Sequence, residues 1–172
     1  MVQIMKGMEA FMSENIAHRD IKHNNFVLHF PSAAAVDIRQ FDFLGSEPWF
    51  VKIVDLGFAK EIEEDQTTAT VCGTPGFTAP EIFLGKPYNG QCDVWSLGIF
   101  YFYLLTLKLP YEAPTPQAIL KKQQNGAWIV PEHAAISCEG LEFLNDCLQF
   151  DPIKRIRLGL LISHSYLRCE LP

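Results

Sequence analysis

Residues 97–107 read LGIFYFYLLTL, eleven positions without a single charge. A membrane-spanning helix needs roughly 20 apolar residues, so the run is too short to cross a bilayer. A helix that is apolar on every side must be covered on every side. The chain therefore has to arrange its other elements around a central buried helix, which the pattern places at residues 92–106.

The rest of the pattern supplies the cover. Apolar residues at 2, 4, 5, 8, 11 and 12 recur at helical spacing until the polar Ser13-Glu14-Asn15, so the chain opens on a helix. Residues 26–30 (FVLHF) and 49–54 (WFVKIV) predict two short strands flanking the insertion at 31–48, which mixes Pro, Ser, Ala and Gly. Residues 58–81 hold many Thr, Gly and Pro and few periodic apolars, the composition of a long functional loop. Further helices are expected at 116–124, 139–148 and 158–166, after a Pro-rich turn at 110–116 and a loop at 125–137. The fold class is mainly α with a small β patch, in one domain.

Composition narrows the function. The 172 residues are 48% hydrophobic and 20% charged, enough to bury a single core. The net charge of −6 is spread along the chain, which gives no electrostatic footprint for nucleic acid or an anionic membrane. Five cysteines, odd in number and without a CxxC pair, suggest neither a disulfide framework nor a zinc site, and reduced thiols suit a cytoplasmic location. Lys6 and Glu9 interrupt the N-terminal apolar pattern, so a signal peptide is not expected.

Five segments concentrate the chemistry: HRDIKHNN at 18–25, Asp55-Leu56-Gly57 after a strand-like run, CGTPGFTAPE at 72–81, DVWSLG at 93–98 and DPIKR at 151–155. Each has a bland reading on its own, such as a polar loop, a turn or an acid at a helix start. In this order they resemble the catalytic loop, the D-F-G element, the end of the activation segment, D-x-W-S-x-G and D-P-x-x-R of eukaryotic serine/threonine protein kinases. The resemblance runs from the first helix to Ile162-Ser163-His164-Ser165-Tyr166-Leu167. Leu56 stands where the family carries Phe. The insertion at 31–48, Gly57-Phe58-Ala59-Lys60 and Leu109-Pro110-Tyr111-Glu112-Ala113 are similar to autophagy-initiating and calmodulin-dependent-type kinases.

The resemblance implies transfer of the ATP γ-phosphate to Ser or Thr of a protein substrate, with a catalytic loop at 18–25 and an activation segment at 55–81. Asp20 would accept the substrate proton, Lys22 would sit against the transferring phosphate, and Thr74 would bond to both. Asn25 and Asp55 would hold Mg²⁺ through hard oxygen ligands. Glu81 and Arg155 would form a buried architectural pair, and Asp93 would hold the catalytic loop through its backbone amides. Thr70, four residues before Thr74, would be phosphorylated by an upstream activating kinase, with Arg19 as partner of that phosphate and Thr67 and Thr68 as weaker candidates. Asn24 and Tyr103 stand where arginine-directed kinases carry Glu, so a strong arginine preference is not expected.

The family also needs a glycine-rich loop, a lysine on its third strand and a helix glutamate ahead of the catalytic loop. Seventeen residues precede His18 and no G-x-G-x-x-G occurs. The expectation is a kinase-like C-terminal lobe spanning 1–172 with the N-terminal lobe absent, binding ATP weakly by itself. Three origins were distinguishable in principle: a truncated catalytic domain, a non-catalytic module docking substrates or regulators, and a lobe completed by another polypeptide.

Overall fold

Helix α3 (Gln91–Thr106) is the axis of the molecule, with Trp95, Leu97 and Ile99 fully buried. The computed structural model describes residues 1–31, 37–39, 43, 45, 48–62, 68, 70–126, 128–132 and 134–168. Around α3 lie α1 (Val2–Ser13), α4 (Pro116–Gln124) and α5 (Cys138–Cys147). Helix α1 turns Ile4, Met5 and Met8 to the core, the stripe its spacing predicts. Capping sets two of the starts: Thr115 accepts from the Ala118 amide ahead of Pro116, and Ser137 accepts from the Gly140 amide. Helix α5 approaches α3 closely because residue 98 is glycine; a Cβ there would lie 2.6 Å from Cys147 Cβ.

Two antiparallel two-stranded ladders sit against this helical body. Strands β2 (Phe26–His29) and β3 (Phe50–Ile53) pair with Phe26 opposite Ile53, and the Phe26 ring stacks on Phe100 of α3 at 4.4 Å. The second ladder joins β1 (Ile16–Ala17) to β4 (Lys60–Glu61). It ties the entry to residues 18–25 to the start of residues 58–81.

The structure corrects two expectations. Residues 58–81 are not loop throughout: they hold β4, Thr68 bridged to Tyr88 farther along, and the first two residues of the short helix α2 (Pro80–Phe83), opened by its proline. The expected helix at 158–166 is two pieces, α6 (Leu158–Leu161) and α7 (Ser165–Arg168). The break has a cause in His164, whose Nδ1 accepts from the Tyr166 amide while its ring stands edge-on to Phe143. Most of the insertion at 31–48, together with Thr67 and Cys169, lies outside the described residues. No helix among the described residues is long and apolar enough to cross a membrane.

Candidate active site

The segment between β1 and β2 is held open as a loop by a carboxylate from α3. The His18 amide donates to Asp93 Oδ2 at 2.7 Å and the Arg19 amide to Asp93 Oδ1 at 2.8 Å. Burial pushes the Asp93 carboxyl above the ordinary carboxylate range, and the two amides pull against it. The His18 ring is buried, with Nε2 at 3.2 Å from the Val54 carbonyl and Nδ1 accepting from the Asp20 amide at 3.4 Å. The network assigns the proton to Nε2.

These bonds impose a left-handed backbone on Arg19 at φ 67°, a conformation that disfavours non-glycine residues by about 1–2 kcal/mol. Across from it, Gly73 has φ 99°, and a Cβ there would meet the Arg19 carbonyl at 2.9 Å. Glycine lets the segment at 72–81 lie directly on the loop. Its far end is anchored by Ser96 Oγ donating to the Phe77 carbonyl at 2.9 Å and Gln123 Nε2 donating to the Thr78 carbonyl at 3.0 Å.

At the contact, three side chains close a ring. Thr74 Oγ1 donates to Asp20 Oδ1 at 2.7 Å, Lys22 Nζ donates to Asp20 Oδ2 at 2.6 Å, and the same Nζ donates to Thr74 Oγ1 at 3.0 Å. Asn25 Nδ2 donates to the Asp20 carbonyl at 2.9 Å and lies 3.4 Å from Oδ2. Asp20 is 3% exposed, yet Oδ1, which accepts only from Thr74, retains a lone pair for a further donor. Asp20, Lys22, Thr74 and Asn25 thus meet at one point, from chain positions up to 54 residues apart.

Asp55 stands beside this cluster at the end of β3. The Val54 amide donates to the Asn25 carbonyl at 2.9 Å, extending the β2–β3 ladder by one step and bringing the two residues to the same edge. Asp55 is exposed, has φ 65°, and accepts from the Gly57 amide at 3.2 Å. Asn25 commits its amide nitrogen to Asp20, which leaves its carbonyl oxygen for another partner. A neutral amide oxygen and an exposed carboxylate are the hard donors that Mg²⁺ accepts alongside water and phosphate oxygens, so the residues fit that ion.

A second cluster lies behind the first. Arg19 Nε donates to the Phe58 carbonyl at 2.6 Å and Nη1 to the Tyr88 hydroxyl at 3.3 Å, while that hydroxyl donates to the Thr70 carbonyl at 2.5 Å. Burial, with a hydrogen bond shared with Cys72, pushes the Tyr88 hydroxyl well above its ordinary range. Lys60 Nζ reaches Thr68 Oγ1 at 3.1 Å, and Thr68 Oγ1 lies 3.4 Å from Thr70 Oγ1. Thr68 is buried and Thr70 exposed. Sequence reasoning missed Tyr88, which lies in no motif and is brought in by its bridge to Thr68, and it read Lys60 only as part of Gly57-Phe58-Ala59-Lys60 without its bond to Thr68.

Farther from the site, Glu81 of α2 and Arg155 form a buried bidentate pair at 2.7 and 3.0 Å. The guanidinium also donates to the Gln91 and Gln149 carbonyls and lies over the Trp95 ring at 5.2 Å.

Residues 1–167 match the protein kinase domain. The chain belongs to the protein kinase domain family. It is 34% identical over 165 residues to a probable serine/threonine-protein kinase of Dictyostelium discoideum, covering 95% of this chain and 18% of that protein. It is 30% identical over 169 residues to serine/threonine-protein kinase SIK1 of Mus musculus, covering 98% and 19%. Against serine/threonine-protein kinase ULK1 of Homo sapiens it is 33% identical over 129 residues, covering 75% and 12%. The kinase-domain chain thus spans 12–19% of the length of these three relatives.

Proposed function

We propose that the chain is the C-terminal lobe of a serine/threonine protein kinase that transfers the γ-phosphoryl group of ATP to a Ser or Thr hydroxyl of a protein. The observation that carries this reading is the closed Asp20–Lys22–Thr74 ring with Asn25 and Asp55 on its edge. Phosphoryl transfer asks a protein mainly for positioning and charge compensation. The incoming hydroxyl would donate to the free lone pair of Asp20, which orients it and takes its proton as the new P–O bond forms and the bond to the ADP oxygen breaks. Lys22, already seated between Asp20 and Thr74, would offset charge on the phosphoryl oxygens. Asn25 and Asp55 would hold Mg²⁺, which shields the phosphates when bound. Leu56, Phe58, Phe50, Val27 and Leu28 are each at least 40% exposed, apolar surface of the kind a covering lobe would bury.

Regulation fits the second cluster. A phosphate on the exposed Thr70 would have Arg19 and Lys60 as donors, drawing Arg19 from the Phe58 carbonyl and tying the segment to the catalytic loop. Thr68, buried in its bridge, is the poorer acceptor.

The test is phosphotransfer by the full-length protein to Ser, Thr and Tyr peptides, with Asp20→Asn as the comparison. Transfer to Ser and Thr only, falling about 10²–10⁴-fold in the variant at unchanged melting temperature, supports the assignment. Undiminished transfer by the variant would refute Asp20 as the base.

A further inference from the structure

Tyr88 lies in the link between α2 and α3 and is 4% exposed. Its main chain is fixed to the segment that leads to Thr74. The Thr68 amide donates to the Tyr88 carbonyl at 2.8 Å, and the Tyr88 amide donates to the Thr68 carbonyl at 2.9 Å. From this bridge the side chain reaches behind the Asp20 ring, where its hydroxyl donates to the Thr70 carbonyl at 2.5 Å, accepts from Arg19 Nη1 at 3.3 Å and lies 3.5 Å from Cys72 Sγ. A phenol has one hydrogen and two lone pairs. The hydrogen goes to Thr70, so Arg19 and the Cys72 thiol fill the lone pairs and the group is saturated.

All three partners belong to the two loops that make the ring, and none to the link that carries Tyr88. Arg19 precedes Asp20, and its carbonyl is the group that faces Gly73. Thr70 and Cys72 precede Thr74 by four and two residues. Filling the core here asks only for the ring of a phenylalanine, whereas a buried hydroxyl costs desolvation unless it is bonded. Without the hydroxyl, Arg19 would keep its Nε bond to the Phe58 carbonyl, but the Thr70 carbonyl and Arg19 Nη1 would each lose a buried partner. The two loops would then be joined at Gly73 and Thr74 alone. A phosphate on Thr70 would offer the same guanidinium a charged and stronger acceptor, so the hydroxyl and the phosphate overlap in what they hold.

We infer that Tyr88 is a positioning residue for the reaction: its hydroxyl clamps Arg19 to the main chain of Thr70 and so steadies the Asp20–Lys22–Thr74 ring without a phosphate on Thr70. The effect on rate rests on the phosphotransfer reading, while the clamp itself does not.

The experiment compares the full-length protein with its Tyr88→Phe variant, each prepared with Thr70 unmodified and with phosphothreonine installed at that position by genetic encoding. The readouts are kcat and KM on a Ser peptide and amide hydrogen exchange across residues 70–78 and α5. With Thr70 unmodified, Tyr88→Phe should lower kcat by about 10-fold or more, the scale of a hydrogen bond to a charged group. With phosphothreonine the loss should shrink to within about 3-fold, because the phosphate takes over the guanidinium. A residue that only packs the core would lose the same factor in both forms. Equal losses with and without the phosphate, or no loss in either, overturn the inference and leave the kinase reading in place. If no form transfers phosphate, the transfer reading fails and exchange decides the clamp: in Tyr88→Phe, faster exchange confined to residues 70–78 supports it, and exchange that is unchanged, or faster in α5 as well, overturns it.

Discussion

Replacing Arg155 with Met tests the packing logic most directly. The guanidinium makes two bonds to the Glu81 carboxylate, one to the Gln91 carbonyl and two to the Gln149 carbonyl, all at 2.7–3.1 Å. Both partners are essentially buried, with side-chain exposures of 0% and 3%. Methionine keeps much of the contact with Trp95 but strands Glu81, and leaving a buried charge uncompensated costs about 3–5 kcal/mol. With a urea m-value of about 2 kcal/mol/M, the midpoint should fall by about 1.5–2.5 M. Glu81→Met strands Arg155 in turn and should cost a similar amount. In the double variant both charges are gone, so the loss should be well below the sum of the two, because buried pairs replaced by apolar residues are often near neutral. Strict additivity of the two single losses, or a midpoint shift under about 0.5 M for Arg155→Met, would refute the view that the pair is desolvated and mutually dependent.

The buried thiols give a pH dependence. Burial pushes Cys92 and Cys147 above their ordinary range, so the folded chain keeps protons that the unfolded chain releases above about pH 8.5; stability is whole below that pH and should fall by about 2 kcal/mol per thiol by pH 10. Cys147→Ala should flatten the slope in urea titrations run from pH 7 to 10. Gly98→Ala should destabilise by about 1–3 kcal/mol through overpacking against Cys147 and Leu148, although alanine normally favours a helix interior over glycine; a rise in melting temperature would show that α5 can move away. Leu107→Gly should stabilise by about 1 kcal/mol by relieving the left-handed backbone, measured by urea unfolding.

How much of this was legible beforehand follows from what each residue answers to. Helix α3 announced itself because its burial follows from the uncharged run at 97–107, ten of whose residues lie in it, and α4 because Thr115-Pro116 caps it locally. The cluster of Asp20, Lys22, Asn25 and Thr74 was legible only through motif order, since no local periodicity says that positions 20 and 74 meet; that meeting depends on Gly73 and on Ser96 and Gln123 anchoring the segment beyond it. Helix 158–166 was misread because His164 has no helix-breaking signature, and its capping bond to Tyr166 competes with helix continuation only once Phe143 fixes the ring. Tyr88 was missed for the same kind of reason. Its hydroxyl matters through Arg19, Cys72 and Thr70, three residues that share no sequence neighbourhood with it. Local elements can be read from the chain one at a time, whereas a site made by two loops crossing depends on whichever small residue permits the crossing. In this chain that residue is Gly73, and any larger side chain there would separate Thr74 from Asp20 without altering a single helix.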